Sequence, residues 1–167
     1  MNLTIDSLVN SIYKELSTRR VNRFTMTDLM KASSVSRGTI YYYFNNIEDI
    51  YTAAFEKNIL NRAIEESDSF TSFINKFISY IYENKTFSLN FYHLTEIKIR
   101  KEFLIEIFNN QLLRFKININ PKNLYVVSGF CFIIINCFDH DLELEQGLIN
   151  KEIELYSQML RKTLKNF

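Results

Sequence analysis

Glycine and proline are nearly absent from this chain, which holds three of the first and one of the second in 167 residues. Strands need frequent turns, and turns draw on these two residues, so long stretches without either predict an all-α fold. The 47% hydrophobic share is ample for a core, and 15 Phe and 10 Tyr with no Trp make its apolar volume mostly aromatic. The length suits one compact domain, or a small domain fused to a somewhat larger one.

Apolar spacing locates the first helices. Ile5, Leu8, Val9, Ile12 and Leu16 recur at three and four and make one stripe, which ends near the basic link STRRVNR. Thr25 then precedes Met26, Leu29 and Met30, with Asp28 three residues after it, a capping signature that starts a short second helix. Ser33 to Ser36 make a turn, and Ser36 is placed to cap a third helix. Asn46, followed by Glu48 and Asp49, opens a fourth, its acids complementing the positive end of the helix dipole. That fourth helix continues through Ile50, Tyr51, Ala54, Phe55 and Ile59.

The third helix carries Tyr41, Tyr42 and Tyr43 in succession, and three consecutive helical positions point in three directions. One ring at least must face outward. At about 100° per residue, Ile40 and Phe44 share an apolar side that packs on the first two helices. Gly38 and Tyr42 centre the opposite side, with Thr39 beside them and Tyr41 and Tyr43 on its shoulders. Two short helices around a tight polar turn make a helix-turn-helix, so this face is placed to enter a DNA groove. There Tyr42 would offer a ring and hydroxyl to base edges or thymine methyls, and the shoulder tyrosines would reach phosphates. The competing readings are an aromatic patch for protein association and rings folded back onto the core.

From Phe24 to Ile50, FTMTDLMKASSVSRGTIYYYFNNIEDI resembles the DNA-binding domain of the tetracycline-repressor (TetR) family of bacterial regulators. Thr25 and Asp28 fall on that family's second-helix start, Val35 and Ser36 on its turn, Thr39, Tyr41 and Phe44 on its recognition helix, and Glu48 with Ile50 on the start of its fourth helix. Together the wheel and the resemblance assign DNA contact to Thr25 and Thr27, to Ser36, Arg37, Gly38 and Thr39, and to the three tyrosines. Two residues depart from the family pattern. Ser34 replaces the usual turn glycine, so a non-glycine residue must take a left-handed or neighbouring conformation there. Ile47 stands where the family has a phosphate-binding lysine, for which Arg19, Arg20 and Arg23 are candidate substitutes.

Beyond the fourth helix, Phe70, Phe73, Ile74, Phe77, Ile78 and Ile81 form one stripe, and Phe103, Ile107 and Phe108 lie on another. An apolar run follows Pro121, and a last helix is expected near Ile149 to Lys165. The run from Leu124 to Phe138 is 15 residues long and contains Ser128 and Asn136, short of the roughly 18 to 20 that a membrane span needs. It reads as a buried or subunit-facing helix holding two reduced thiols, Cys131 and Cys137. The resemblance implies a homodimer through the last two helices, with Ser128 and Gly129 allowing close approach. It also implies a cavity for a small-molecule effector, for which Phe73, Phe77, Tyr80, Phe91, Tyr92, His93, Phe103 and Phe108 are candidate lining residues. His93 with Glu96, and Cys137 with His140, are the only chemically suggestive pairs. A pair does not specify a metal, so no metal or other cofactor is expected.

Charge agrees with this division. Residues 1–47 carry Lys14, Arg19, Arg20, Arg23, Lys31 and Arg37 against Asp6, Glu15 and Asp28, a net of +3, which leaves −2 for the rest. No secretory signal is visible in MNLTIDSLVN, so a cytoplasmic location is expected. No phosphate loop or catalytic triad appears, which argues against an enzyme. The expectation is therefore a helix-turn-helix domain over 1–46 and a helical ligand-sensing and dimerisation domain over 47–167. Such a chain would be a homodimeric repressor that binds a pseudo-palindromic operator and is released by a small, largely hydrophobic ligand. The alternative is a DNA-anchored protein-interaction adaptor or co-regulator with no small-molecule inducer.

Overall fold

A computed structural model describes residues 3–95, 97–117 and 124–162, with side-chain surroundings for 3–95, 101–117 and 126–162. Ten α-helices follow one another there, without a strand: α1 (Leu3–Thr18), α2 (Met26–Ser33), α3 (Arg37–Tyr43), α4 (Ile47–Phe55), α5 (Asn61–Glu65), α6 (Phe70–Glu83), α7 (Lys85–Leu94), α8 (Ile97–Arg114), α9 (Leu124–Asp139) and α10 (Gln146–Arg161). A wider π turn, Glu56–Leu60, joins α4 to α5. Among the described residues no helix is long and apolar enough to cross a membrane. Glu96, Pro121 and the expected helix end at Lys165 lie outside the described residues.

The chain packs as two units, Met1–Arg62 with Asn84–Glu96, and Ala63–Glu83 with Ile97–Phe167. This division falls after Arg62 rather than at residue 46, and a later segment returns to the first unit. The reason is visible in the core. α1 buries Leu8, Val9, Ile12 and Leu16, and α4 buries Ile50, Tyr51, Ala54 and Phe55. α1 packs against α2, α4 and α7, and α4 against α7. Phe91 of α7 stacks on Phe55 with centroids 4.4 Å apart, and Phe87 packs on Tyr13 at 4.9 Å. Burying a ring of this size stabilises by about 1.5–3 kcal/mol, so the residues after Phe44 contribute much of the core on which the helix-turn-helix rests.

The second unit is built on the predicted α6 stripe, and Phe70, Phe73, Ile74, Phe77, Ile78 and Ile81 are all buried. α6 packs on α8 and α10, and α9 on α8 and α10. Arg114 donates to the carbonyls of Ile64 and Ser67, closing the chain between α5 and α6. Gly129 serves packing within the chain: a β-carbon there would overlap the hydroxyl and ring edge of Tyr156 in α10. The Tyr156 hydroxyl in turn donates to the Val126 carbonyl at 3.2 Å. The small residue therefore admits a ring of its own chain, a use that the helix's apolar pattern does not reveal.

Candidate nucleic-acid interface

The caps that frame the helix-turn-helix form as their local sequence predicts. At α2 the Thr25 hydroxyl donates to Asp28 Oδ2 at 2.7 Å and accepts from the Asp28 N–H at 3.3 Å, while the Asp28 carboxylate also accepts from the Thr25 N–H at 2.8 Å. Two otherwise unsatisfied donors are met reciprocally. The hydrogen bond from the Thr25 side chain, followed by that from its backbone, holds the Asp28 carboxyl below its ordinary value. Ser36 caps α3 by accepting from the Thr39 N–H at 3.2 Å, and Asn46 caps α4 by accepting from the Asp49 N–H at 2.9 Å. Between α2 and α3, Ser34 adopts φ 58° and ψ 20°, and its N–H reaches the Met30 carbonyl at 3.0 Å. The left-handed turn, for which the resemblance implies glycine, is made here by serine.

These caps fix the rotation of α3 about its own axis. Ile40 is 0% exposed and Tyr42 is 81% exposed, so the two faces are divided as the wheel predicts. Tyr41 is exposed and Tyr43 half-buried. Tyr43 meets the Tyr42 ring edge-on at 4.9 Å, and the Arg37 guanidinium lies 5.4 Å from the centre of the Tyr41 ring. A β-carbon on Gly38 would meet nothing within 4 Å; the fold itself does not require glycine there. Phe44 differs from expectation. It is half-buried and ends α3 in an extended conformation rather than sitting within the helix.

The other assigned positions divide by what their side chains already do. Thr27, Arg37 and Thr39 are exposed. The Ser36 and Thr39 hydroxyls lie 2.8 Å apart, and the Thr25 hydroxyl is spent on Asp28, so Thr25 and Ser36 shape the surface as caps. Arg19, Arg20 and Arg23 are exposed along the link after α1. Arg19 and Arg23 also line an open concavity of about 380 Å³ with Lys31, Glu15 and Asp28.

Two positioning groups escaped the sequence reading. The Tyr51 hydroxyl of α4 donates to the Phe24 carbonyl at 2.7 Å, just before α2. Asn90 of α7, fully buried, bonds to the backbone of Leu16, Arg19 and Val21. An asparagine between Leu89 and Phe91 on a helix that buries most of its surface was the one available signal.

The candidate effector residues are divided between the two units. Phe91, Tyr92 and His93 lie on α7 in the first unit, where Phe91 and Tyr92 are buried and His93 is exposed. Phe73, Phe77, Tyr80 and Phe108 are buried in the second unit, and Phe103 there is half-buried. Of the other pair, Cys137 is buried beside the Tyr82 hydroxyl, whereas the exposed His140 ring meets the Asn136 carbonyl at 2.9 Å.

Residues 10–54 match the family model described as bacterial regulatory proteins, tetR family. The chain carries the TetR-family DNA-binding domain. Regulators of this family are DNA-binding proteins and not enzymes. The match extends past residue 46 into α4, in keeping with the packing of α4 on α1. Among solved structures, a TetR transcriptional regulator from Rhodococcus sp. RHA1 is similar over 95% of this chain and 97% of its own, with a TM-score of 0.67 at 12% identity. The dihydroxyacetone kinase operon activator DhaS is similar over 99% of this chain and 98% of its own, with a TM-score of 0.62 at 16% identity. At these identities the likeness is one of fold: a helix-turn-helix followed by a helical C-terminal domain. Comparison with curated proteins finds no match by sequence.

Proposed function

We propose that this TetR-family chain is a cytoplasmic, homodimeric transcription regulator that represses by binding a pseudo-palindromic operator through α3. The observation that carries this reading is the division of α3, with Ile40 sealed in the core and Tyr42 81% exposed between Gly38 and the flanking tyrosines. Thr27, Arg37 and Thr39 extend the same surface. The direct test is to select bound sequences from a random DNA pool, then compare the wild type with Tyr42→Ala. Losing one base-reading side chain costs about 1–3 kcal/mol, so operator affinity should fall about 5- to 150-fold while non-specific binding and melting temperature stay nearly constant. A sharp fall in melting temperature would show that the ring belongs to the core.

Dimerisation is supported by an exposed apolar stripe. Leu148, Leu155 and Met159 recur at seven and four along α10, and they are exposed, as is Phe132 on α9. A monomer rarely exposes such a surface without a use for it. Two copies joined there would present two α3 helices to half-sites one helical turn or more apart. Leu155→Glu combined with Met159→Glu should give a soluble monomer in sedimentation; an unchanged dimer would place the interface elsewhere.

Release by a small hydrophobic effector, with Phe73, Phe77, Phe108 and their neighbours as lining, completes this reading by a shift of conformers. One observation favours an adaptor that responds to another protein instead. Phe73 and Phe77 lie 5.6 Å apart, and each lies 6.3 Å from Phe108, so these rings occupy one another's space. A hydrophobic compound that raises the melting temperature and releases DNA supports the sensor. A protein partner with no compound response supports the adaptor.

A further inference from the structure

We propose that Asn90 is a positioning residue for DNA binding, which holds the link between α1 and α2 in the form that presents its arginines to phosphate. This inference rests on the reading that Arg19, Arg20 and Arg23 supply the contact that Ile47 lacks.

The argument begins with how α1 ends. The last carbonyls of a helix have no partner within it, and the commonest remedy is a left-handed glycine or asparagine just beyond the end. The chain's glycines are Gly38, Gly129 and Gly147, and no non-glycine residue of the link has a positive φ. The last turn of α1 holds no basic residue that could serve instead. The Thr18 hydroxyl donates to the Glu15 carbonyl at 2.6 Å, and a residue from α7 takes the Leu16 carbonyl and the link beyond it. Asn90 Nδ2 donates to the Leu16 carbonyl and to the Arg19 carbonyl, both at 2.7 Å, and Oδ1 accepts from the Val21 N–H at 3.0 Å.

The chemistry of this set is specific. Two carbonyls and one N–H within six residues need two donors and one acceptor on one rigid group, and a primary carboxamide provides them. Aspartate would keep the acceptor and lose both donors. Serine or threonine would supply a single donor. Asn90 is 0% exposed and its bond to the Leu16 carbonyl is buried, and a leucine in its place would satisfy the apolar neighbours while leaving the backbone of the link unheld.

The far end of the link is pinned independently by the Tyr51 hydroxyl on the Phe24 carbonyl. The backbone is thus fixed at Leu16, Arg19, Val21 and Phe24, while the side chains of Arg19, Arg20 and Arg23 remain exposed. Holding the main chain before DNA arrives removes part of the ordering cost of binding. It also ties the phosphate-facing segment to a helix about seventy residues further along the chain.

The test uses the full-length protein on its selected operator and on unrelated DNA, with affinity measured across a salt series. Each phosphate contact contributes about 0.9 to the slope of log affinity against log salt, so loss of one contact per subunit flattens a dimer's slope by nearly two units and weakens binding about tenfold or more at 0.15 M salt. Asn90→Ala should produce that change on both DNAs. It should add nothing when Arg19, Arg20 and Arg23 are already alanine, and exchange of the Val21 amide proton should speed up. Asn90→Asp, similar in size and unable to donate, should behave in the same way and provides a second variant if alanine does not fold. If both folded variants melt lower yet keep the wild-type slope, while the triple arginine variant loses it, Asn90 is only a structural cap and the proposal fails. A triple arginine variant with an unchanged slope overturns the phosphate reading of the link, and the proposal with it.

Discussion

Replacing Ser34 by glycine should stabilise the protein. Ser34 closes α2 at φ 58° and ψ 20°, in the region where an L side chain meets the following carbonyl oxygen at a cost of about 1–2 kcal/mol. Glycine removes that cost. Against this stands the greater freedom of glycine in the unfolded chain, about 0.5–1 kcal/mol. The Ser34 side chain is exposed, and its backbone bond to the Met30 carbonyl is kept in the variant, so little else is lost. The net gain is about 0.5–1 kcal/mol, which for a chain of this size corresponds to roughly 1–4 °C in melting temperature. Urea unfolding followed by circular dichroism reads it directly, because a gain in the native state moves the midpoint and leaves the slope m unchanged. Ser34→Ala is the control. It keeps the β-carbon and should gain nothing. A glycine variant no more stable than the wild type, or an alanine variant that gains as much, would refute the idea that backbone strain is stored at this turn.

Three other outcomes follow from the packing and the caps. Gly129→Ala should destabilise by about 1–3 kcal/mol through overpacking against Tyr156, and most of the loss should vanish in a Tyr156→Ala background; an additive double mutant would mean that the ring is not the obstacle. Burial pushes the Cys131 thiol up to about 12 and raises Cys137 as well, so both stay protonated and inert to a maleimide at pH 8 until the chain is unfolded, and labelling of the native protein within seconds would contradict this. The Asp28 carboxyl is held below its ordinary 3.8 chiefly by the Thr25 hydroxyl, so its cap on α2 is fully present above that pH and is lost as pH falls through the lowered value. An NMR titration should show the Asp28 midpoint moving upward in Thr25→Val.

What the sequence shows of this fold depends on the distance over which each feature is decided. The caps at Thr25, Ser36 and Asn46 and the strained turn at Ser34 involve residues three or four apart, and their residue types announce them. The α6 stripe and the outward face of α3 follow from helical period alone, since only the direction of burial is at stake. Period does not say which element supplies the covering surface. That is why the sequence does not pair Phe91 with Phe55 of α4, on which it stacks, or Gly129 with Tyr156, the ring it admits. The link between α1 and α2 shows the same limit in a single segment. Its arginines are legible as charge, but the backbone that carries them is held by Asn90 and Tyr51, residues with no sequence relation to it. Phase along a helix is a local property and can be read locally. The partner that fills a phase is chosen by the whole fold, and here the residues that hold the link between α1 and α2 belong to that second kind of information.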